Sequence, residues 1–494
     1  MNTAKLEPGR GSQIRERPHS SKWWVLAVLS LAQLIVVLDS TIVNIALPRA
    51  QEALGFSSAD RQWVVSAYAL SFGGLLLLGG RISDRWGQKR TLVIGLIGFA
   101  SASFVGGAAS SLAMLVAARA AQGAFGAVLA PAALSLLTIV FREPADRTRA
   151  FGVFGSVSGA GAAVGLLLGG ALTEYWSWAW CLWVNVPLAA IAVVGAVILV
   201  PKTTGSSHVV LDIPGAVAVV AGTVLLVLGF TQAETSGWAA GSTIALLASG
   251  IVSLGVFILI QRRGTHPLLP LRVVMNRYRG GSLLGVSLSA IGMFSVFLFL
   301  TFYLQDTMGF TPLVTGLAFL PMILGITVMS IAVAPPLLRR FGPRVPIAAG
   351  SLLGGAGLLW LSSLSPESSY ATTVLPALVV LGIGMGLIFG AGFNSATAGV
   401  HLEDAGVASA LANAGQQIFG ALGAASLSTI ALQASTSAGN LGRAAAAVAG
   451  YDRAFLVAAM VFFVATIATA VLIPKNAPVD PNATSDSPAV PVHF

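Results

Sequence analysis

The sequence predicts an all-α membrane protein in which fourteen helices cross the bilayer. Three observations lead to this prediction: the composition is too apolar for a soluble domain, the apolar residues form long segments, and the basic residues gather in alternate loops. Of the 494 residues, 56% are hydrophobic and only 9% are charged, whereas a soluble domain carries about 25% charged residues. The mean hydropathy of +0.86 agrees with a chain that passes through the membrane many times.

Each predicted span is an apolar segment long enough to cross a hydrocarbon core of about 30 Å as a helix. The first span lies between the charges of Lys22 and Arg49 and contains a single acidic residue, Asp39. The predicted spans are 23–48, 61–80, 91–110, 112–140, 150–172, 181–201, 211–231, 239–261, 281–305, 312–336, 346–364, 371–395, 405–434 and 452–474. Because their number is even, both chain ends are expected on the same side.

The positions of the basic residues predict which side of the membrane holds the chain ends. Among the 27 Lys and Arg residues, the only ones outside the loops and tails on the side of the chain ends are Arg49, Arg61, Arg119, Arg443 and Arg453. This positive-inside bias predicts that both termini are cytoplasmic. It also explains the net charge of +9 as a topology signal, so binding to nucleic acid is not predicted.

A weak internal repeat divides the chain into two halves. GGRISDRWGQKR follows the second span and PPLLRRFGPRVP follows the tenth, and aligning Gly87 with Gly342 matches Arg85 to Arg340. Repeats of this kind are typical of transporters built from two similar bundles. The predicted divisions are a tail 1–22, an N-terminal six-helix bundle 23–201, two inserted helices with a cytoplasmic connector 202–280, a C-terminal six-helix bundle 281–475 and a tail 476–494.

Two opposite charges lie at similar depth inside the membrane. Asp39 is in the first span and Arg119 is in the fourth, with Gln122 three positions further on the same helix face. Charges within a bilayer are costly and are expected to pair or to serve a function. We predict that Asp39 and Arg119 share a polar network that couples transport to protons or cations, with Gln122 and Asn44 as polar groups of a cavity. Two alternatives stay open: Asp39 only braces the bundle, and Asn44 only caps its helix.

The loop after the second span combines glycines, an acid and basic residues. Its notable positions are Gly80, Asp84, Arg85, Gly87, Lys89 and Arg90. A carboxylate near the start of the third helix is favoured by the helix dipole, and the loop arginines can hold it in a charge-assisted pair. We therefore predict a cytoplasmic gate loop latched through Asp84; a plain positive-inside loop is the alternative.

These stretches together resemble the major facilitator superfamily, and within it the fourteen-span drug:proton antiporter branch. LDSTIVNIALP resembles the first-span signature of that branch, GGRISDRWGQKR resembles the superfamily loop, and RAAQGAFGA is similar to the fourth-span Arg-x-x-Gln-Gly motif. The resemblance implies a major facilitator fold, with two six-helix bundles and two extra transmembrane helices. It also implies that the first and fourth helices line a central cavity.

The fifth span resembles the antiporter motif of the same branch. GAGAAVGLLLGGAL contains Gly161, Gly165, Gly169 and Gly170, and small residues four apart let helix backbones approach closely. The family motif usually carries a proline after the middle glycine, where this chain has Leu166. We expect the packing surface without the kink.

The resemblance implies a proton-coupled secondary transporter that exports drugs or antibiotics across the bacterial cell membrane by alternating access. The expected partners are a small-molecule substrate, protons and the lipid bilayer, and we expect a monomer with no cofactor and no metal. An exporter of an endogenous metabolite is the alternative. A membrane-embedded enzyme is disfavoured because the five histidines are scattered without metal-ligand spacing.

Overall fold

The computed structural model describes residues 19–474 except 59, 142, 207–208, 265–266, 270, 398–401 and 440–441. In this part of the chain every regular element is helical, and fourteen helices are long and apolar enough to cross a membrane. The predicted fold class and number of spans are therefore confirmed. The predicted tail 476–494 and nearly all of the tail 1–22 lie outside the described residues.

We label the spanning helices α1 to α14 in chain order. Their bounds are Lys22–Leu54, Arg61–Trp86, Gln88–Gly107, Leu112–Val140, Arg149–Tyr175, Trp180–Leu199, Ile213–Ala233, Gly241–Arg263, Arg277–Thr307, Pro312–Phe341, Arg344–Leu361, Tyr370–Ala396, Val407–Ser437 and Ala444–Leu472. The face where α1 begins and α14 ends is called the terminal face, and the opposite one the far face.

Two helix boundaries differ from the prediction in instructive ways. Helix α2 continues past residue 80 to Trp86, so the first part of the predicted gate loop is helical. Gly87, with φ of 88°, separates α2 from α3 in a backbone conformation that favours glycine. Helix α14 begins at about residue 444 and not at 452, because the alanine run there has high helix propensity although it is not strongly hydrophobic.

The helices form two groups that pack mainly within themselves. In the first group, α1 contacts α5 and α6, while α4 contacts α2 and α3; in the second, α11 contacts α12 and α14, and α9 contacts α13. The groups meet along two seams, α2 against α13 and α5 against α10. Helix α7 packs on both α2 and α13, and α8 packs against α7.

Four π-helical segments interrupt the helices of the second group. They are Val296–Leu300 and Tyr303–Thr307 in α9, Met329–Val333 in α10 and Tyr370–Val374 at the start of α12. A π segment inserts extra backbone into a helix turn and weakens the regular hydrogen-bond ladder. In the described residues the first group has none, so its helices are the more regular of the two.

Candidate functional site: a buried ion-pair network

Asp39 and Arg119 form an ion pair inside the first group of helices. Nη1 of Arg119 donates to Oδ2 of Asp39 at 2.5 Å. The side chain of Arg119 is 2% exposed and that of Asp39 is 0% exposed. Burying two charges costs several kcal/mol for each ion, so the pair is stable only if its remaining hydrogen-bonding groups are also satisfied.

Two amides complete the coordination of the carboxylate. Nε2 of Gln122 and Nδ2 of Asn185 each donate to Oδ1 of Asp39 at 2.9 Å. Gln122 also accepts from Nη1 of Arg119 at 2.9 Å and donates to Oγ of Ser103 at 2.8 Å. The network thus joins α1, α3, α4 and α6 around one acidic side chain.

The guanidinium of Arg119 is held from the side of α2 as well. Its Nε donates to the carbonyl oxygen of Val64 at 3.2 Å, and its carbon lies 4.4 Å from the ring centroid of Tyr68. The hydroxyl of Tyr68 donates to the carbonyl oxygen of Val36 at 3.4 Å. A cation above an aromatic face gains electrostatic attraction, most strongly where water is excluded. Five helices therefore fix the ion pair.

The sequence analysis missed three network residues, which are Ser103, Tyr68 and Asn185. Asn185 is the one of these that contacts the carboxylate of Asp39. It lies in α6 where a short helix, Trp180–Trp183, passes into the helix Asn185–Leu199. Its Oδ1 has no hydrogen-bond partner among the described residues, although the atom is buried. A lone amide inside an apolar span was the available signal, because such a group is expected to find a polar partner.

The network is closed to solvent in this conformation, and the two residues expected to line a cavity have different partners. Gln122 is completely buried among the other groups of the network. Asn44 does not join the network: its Nδ2 donates to the carbonyl oxygen of Ser40 in the same helix at 3.0 Å. Asp39 likewise points into the interior of α1–α6, with all of its hydrogen-bond partners in that group.

The glycines of α5 bring α1 into position. A side chain at Gly161 would meet Val37, at Gly165 it would collide with Thr41, and at Gly169 it would meet Ile42 at 2.8 Å. These contacts flank Asp39 in α1. Gly170 instead faces α10, where a Cβ atom would lie 2.6 Å from Cα of Leu313. The glycine stripe therefore serves two interfaces, one within the first group and one between the groups.

The gate loop is organised differently from the prediction. Asp84 is exposed and lies in the last turn of α2, not near the start of α3, so the helix dipole does not favour its charge. In the described part of the chain, no ion pair within 4.0 Å joins Asp84 to an arginine. The carboxylate of Asp84 instead interacts with the charge of Arg81 and with the side chain of Gln88 at the start of α3, and the latch stays a prediction.

Basic residues of the same loop hold the end of α6 and the segment after it. Nζ of Lys89 donates to the carbonyl oxygens of Val197 at 2.8 Å and Val200 at 2.7 Å. Arg85 donates to the carbonyl oxygen of Val209 at 3.3 Å. A cation at the C-terminal end of a helix satisfies carbonyls that lack partners in the helix. This contact set, centred on Lys89, is called the α6 clasp.

The remaining gate-loop positions have structural roles or lie at the surface. Gly87 packs against the backbone of Thr203, where a side chain would clash. Gly80 has only the Pro131 side chain near its would-be Cβ, at 3.9 Å, and Arg90 is exposed. Of the predicted loop residues, Gly87 and Lys89 are therefore the ones that the fold depends on most.

Three contacts join the two helix groups near the far face. The guanidinium carbon of Arg61 lies 3.6 Å from the ring centroid of Phe302. Nε2 of Gln305 donates to the carbonyl oxygen of Ile45 at 3.1 Å, and the backbone N–H of Leu313 donates to Oε2 of Glu174 at 3.0 Å. We call these three contacts the far-face bridge. The predicted second span also begins at Arg61, and the structure shows this residue buried at the start of α2.

Fourteen spanning helices in two groups, with a charge pair enclosed in one of them, define a multi-pass membrane protein of the transporter class. Residues 29–424 match the family model of the Major Facilitator Superfamily, and the chain belongs to this family. The expected family resemblance is thereby confirmed.

The chain is similar to two curated antibiotic-related proteins. It is 48% identical over 422 residues to a puromycin resistance protein of Streptomyces alboniger, covering 85% of this chain and 84% of the relative. It is 38% identical over 450 residues to a cephamycin export protein of Amycolatopsis lactamdurans, covering 90% and 92%. Among solved structures, a nucleoside transporter shares the fold with a TM-score of 0.64 at 13% identity, covering 92% of this chain and 100% of that one.

Proposed function

We propose that this protein exports antibiotic-like small molecules from the cell in exchange for protons, by alternating access, with Asp39 as the proton-binding group. The relatives named for puromycin resistance and cephamycin export support the class of cargo. The charge bias of the loops supports a cytoplasmic terminal face in the cell membrane. The observation that carries the coupling step is the sealed pair of Asp39 and Arg119.

Alternating access requires two groups of helices that can move against each other. We assign residues 23–201 and 281–475 to these moving bundles, and α7 and α8 to an insertion at the α2–α13 seam. The far-face bridge supports a conformation closed toward the far face. The opposite conformation would separate Arg61 from Phe302 and bring the terminal ends of the bundles together.

The network links proton binding to this motion through its hydrogen bonds. The carboxylate of Asp39 accepts from Arg119, Gln122 and Asn185, which leaves one of its about four lone-pair sites, on Oδ2, for a proton, and a proton bound there removes the charge that holds Arg119. Oδ1 of Asn185, which has no partner among the described residues, is an acceptor for the new O–H after the amide rotates. Because Asp39 is completely buried, proton exchange requires the network to open, and this requirement ties protonation to conformational change.

The proposal is tested with purified protein in liposomes under an imposed pH gradient, using puromycin, a cephamycin and lincomycin as candidate cargo. We expect gradient-driven accumulation for at least one compound in the wild type, and collapse of that accumulation when an ionophore dissipates the gradient. In Asp39→Asn we expect gradient-driven accumulation to fall at least tenfold, while exchange of labelled for unlabelled cargo without a gradient persists.

Glu367→Gln is the matched control, since Glu367 is an exposed acid that belongs to none of the predicted sites. Undiminished gradient-driven accumulation in Asp39→Asn would remove Asp39 from the coupling role. Accumulation that ignores the ionophore in the wild type would contradict proton exchange itself.

A further inference from the structure

A small cavity lies inside the first helix group, on the far-face side of the ion pair. Its volume is about 10 Å³, and it is lined by side chains of α1, α2, α4 and α6 together with Trp178 from the turn before α6. A void of this size is at the lower limit for one water molecule, and water stays in a cavity only if polar groups bind it. The lining is aliphatic apart from Trp178 and Cys181, so the cavity is dry in this conformation.

The inner end of the cavity lies one helical turn from the ion-pair network. Three lining residues are each four positions from a network residue, on the side toward the far face. The pairs are Asp39 with Val43 in α1, Arg119 with Leu115 in α4, and Asn185 with Cys181 in α6. On α2, Val64 lines the cavity and its carbonyl oxygen accepts from Nε of Arg119 at 3.2 Å. Because residues four apart in a helix lie one above the other, the network forms the floor of the cavity.

The lining of the cavity also reaches the level of the far-face surface. Ala50 belongs to it, and close to Ala50 in α1 lie Arg49 and Glu52, an ion pair with exposed side chains. From Asp39 to Ala50 the helix advances about eleven residues, or about 16 Å. Trp178 is half-buried, whereas the lining residues of the four helices are buried. The lining therefore extends from the network to the surface.

The opposite side of the network is packed with aromatic rings. Tyr68 lies against Arg119, and its ring stacks on that of Phe72 with the ring centroids 5.7 Å apart. Phe99 is one turn from Ser103 in the direction of the terminal face and is completely buried. The network thus has filled space on its terminal side and a void on its far side. Water enters a packed interior most easily where a void already exists, because fewer contacts have to be broken there.

We infer that this cavity is the closed form of the route by which protons reach Asp39 from the far face, which rests on the proposed role of Asp39 as the proton-binding group. An apolar constriction excludes water and protons while it is narrow, and it conducts once it is wide enough to hold a chain of water molecules. The proton route lies within the first helix group. It is therefore separate from the cleft between the two groups that alternating access requires for the cargo.

The far-face bridge controls the width of this route. Arg61 lies three residues before Val64 in α2, and its guanidinium is held over the ring of Phe302 in the second group. When that contact breaks, the first turn of α2 is free to move away from α1 and α4, and the cavity widens. The motion that opens the far face to the cargo thus also opens it to protons.

The experiment follows the infrared C=O band of protonated Asp39 in the full chain after a rapid drop in pH. The band is assigned by its absence in Asp39→Asn. Ala46→Val narrows the cavity two turns from Asp39, and we expect the band to appear about tenfold more slowly. Val43→Thr adds a hydroxyl that binds water, and we expect the band to appear about fivefold faster, which is the effect of about one hydrogen bond.

Each variant has a matched control in α1 on the terminal side of Asp39. Ala32 lies two turns before Asp39, as Ala46 lies two turns after it, and both alanines are buried. Val28 is a buried valine of the same helix. We expect Ala32→Val and Val28→Thr to keep the wild-type rate.

The single cysteine of the chain, Cys181, gives a second measurement because it lines the cavity. Alkylation by N-ethylmaleimide requires the thiolate, which water stabilises. We expect alkylation of Cys181, detected by mass, to be about tenfold faster in Arg61→Gln than in the wild type. Arg453→Gln, at an exposed far-face arginine, should alkylate at the wild-type rate.

A band that appears at the wild-type rate in both Ala46→Val and Val43→Thr, with the variants folded by thermal unfolding, would overturn the route while Asp39 stayed the proton-binding group. Equal slowing by Ala32→Val would also overturn it, since the rate would then not depend on the cavity. Unchanged alkylation in Arg61→Gln would overturn the control by the bridge. If the wild type showed no band that Asp39→Asn lacks, the proposed function and the route would fail together.

Discussion

The first helix group, α1–α6, encloses a charge pair as well as aromatic rings, whereas the described residues of the second group, α9–α14, enclose aromatic rings without such a pair. In the first group Asp39 and Arg119 are buried among amides, a hydroxyl and a backbone carbonyl. In the second group the largest completely buried side chains are Tyr303, Phe302, Phe319, Phe455 and Phe462. The first group also buries Phe99 and Phe141, so the difference between the two interiors is the charge pair.

The difference has a mechanical meaning. A buried network has a few hydrogen bonds of fixed geometry, and a partly broken one costs more than none, so the first group is held in a defined arrangement. Apolar contacts constrain geometry less than hydrogen bonds to a buried charge do, and the four π segments interrupt the regular helix hydrogen bonding of α9, α10 and α12. We therefore expect the first group to sense protons and the second to adjust its shape.

The largest expected effect comes from breaking the charge pair on one side only. Arg119→Ala leaves Asp39 buried without its cation, and we expect the free energy of unfolding to fall by about 3–5 kcal/mol. Asp39→Asn/Arg119→Gln removes both charges and should be more stable than Arg119→Ala while lacking proton coupling. Thermal unfolding in detergent measures both; a double variant no more stable than the single one would show that charge compensation does not hold this core.

A smaller effect is expected when one asparagine is removed, and the comparison is between an asparagine of the first group and one of the second. Asn185→Ala removes a donor from a buried carboxylate, a contact that contributes about 1.5–3 kcal/mol to the free energy of unfolding. Asn413→Ala is the control, because the amide of Asn413 donates to the carbonyl oxygen of Ser409 in its own helix at 3.0 Å. The same unfolding assay should show the larger loss for Asn185→Ala, and equal losses would contradict the special role of the network.

The far-face bridge provides the next test, since it joins the two groups. Arg61→Gln removes the cation above the ring of Phe302, a contact of about 1–2 kcal/mol when desolvated. We expect the population to shift toward a conformation open at the far face. Spin labels at positions 52 and 367 would report a longer mean distance; Arg453→Gln, an exposed far-face arginine, should leave the distance unchanged. An unchanged distance in Arg61→Gln would mean that this contact does not hold the face closed.

The smallest effect is expected in the gate loop, where the acidic residue Asp84 and the basic residue Lys89 differ in their contacts. Lys89→Gln should loosen the α6 clasp and speed hydrogen exchange of the amides at residues 203–206, because its ammonium holds two carbonyls at the end of α6. Asp84→Asn should leave the same amides close to the wild type, since Asp84 is exposed. Faster exchange of these amides in Asp84→Asn than in Lys89→Gln would instead support the acidic latch that the sequence predicts.

The sequence was sufficient to predict the features that depend on the length and charge of single segments. The number of spans follows from the length of apolar segments, since a helix must be long enough to cross the hydrocarbon core. A polar network shared by Asp39 and Arg119 was predictable, because opposite charges at one depth in a membrane are expected to find polar partners, whereas their direct contact was not.

Only the tertiary structure decided which hydrogen-bond partners these side chains have and which way they point. Asn185 reaches Asp39 across 146 positions of sequence, and nothing local to either residue encodes that contact. Whether Asp39 faces a cavity or the interior of α1–α6 depends on the rotation of α1 against α5, which the close approach at Gly165 sets. Likewise Lys89 binds the end of α6 instead of serving an acidic latch, because that helix end presents unpaired carbonyls at the right distance. Apolar length and charge are properties of a segment, but a hydrogen bond depends on the positions of two atoms that only the packing of several helices brings together.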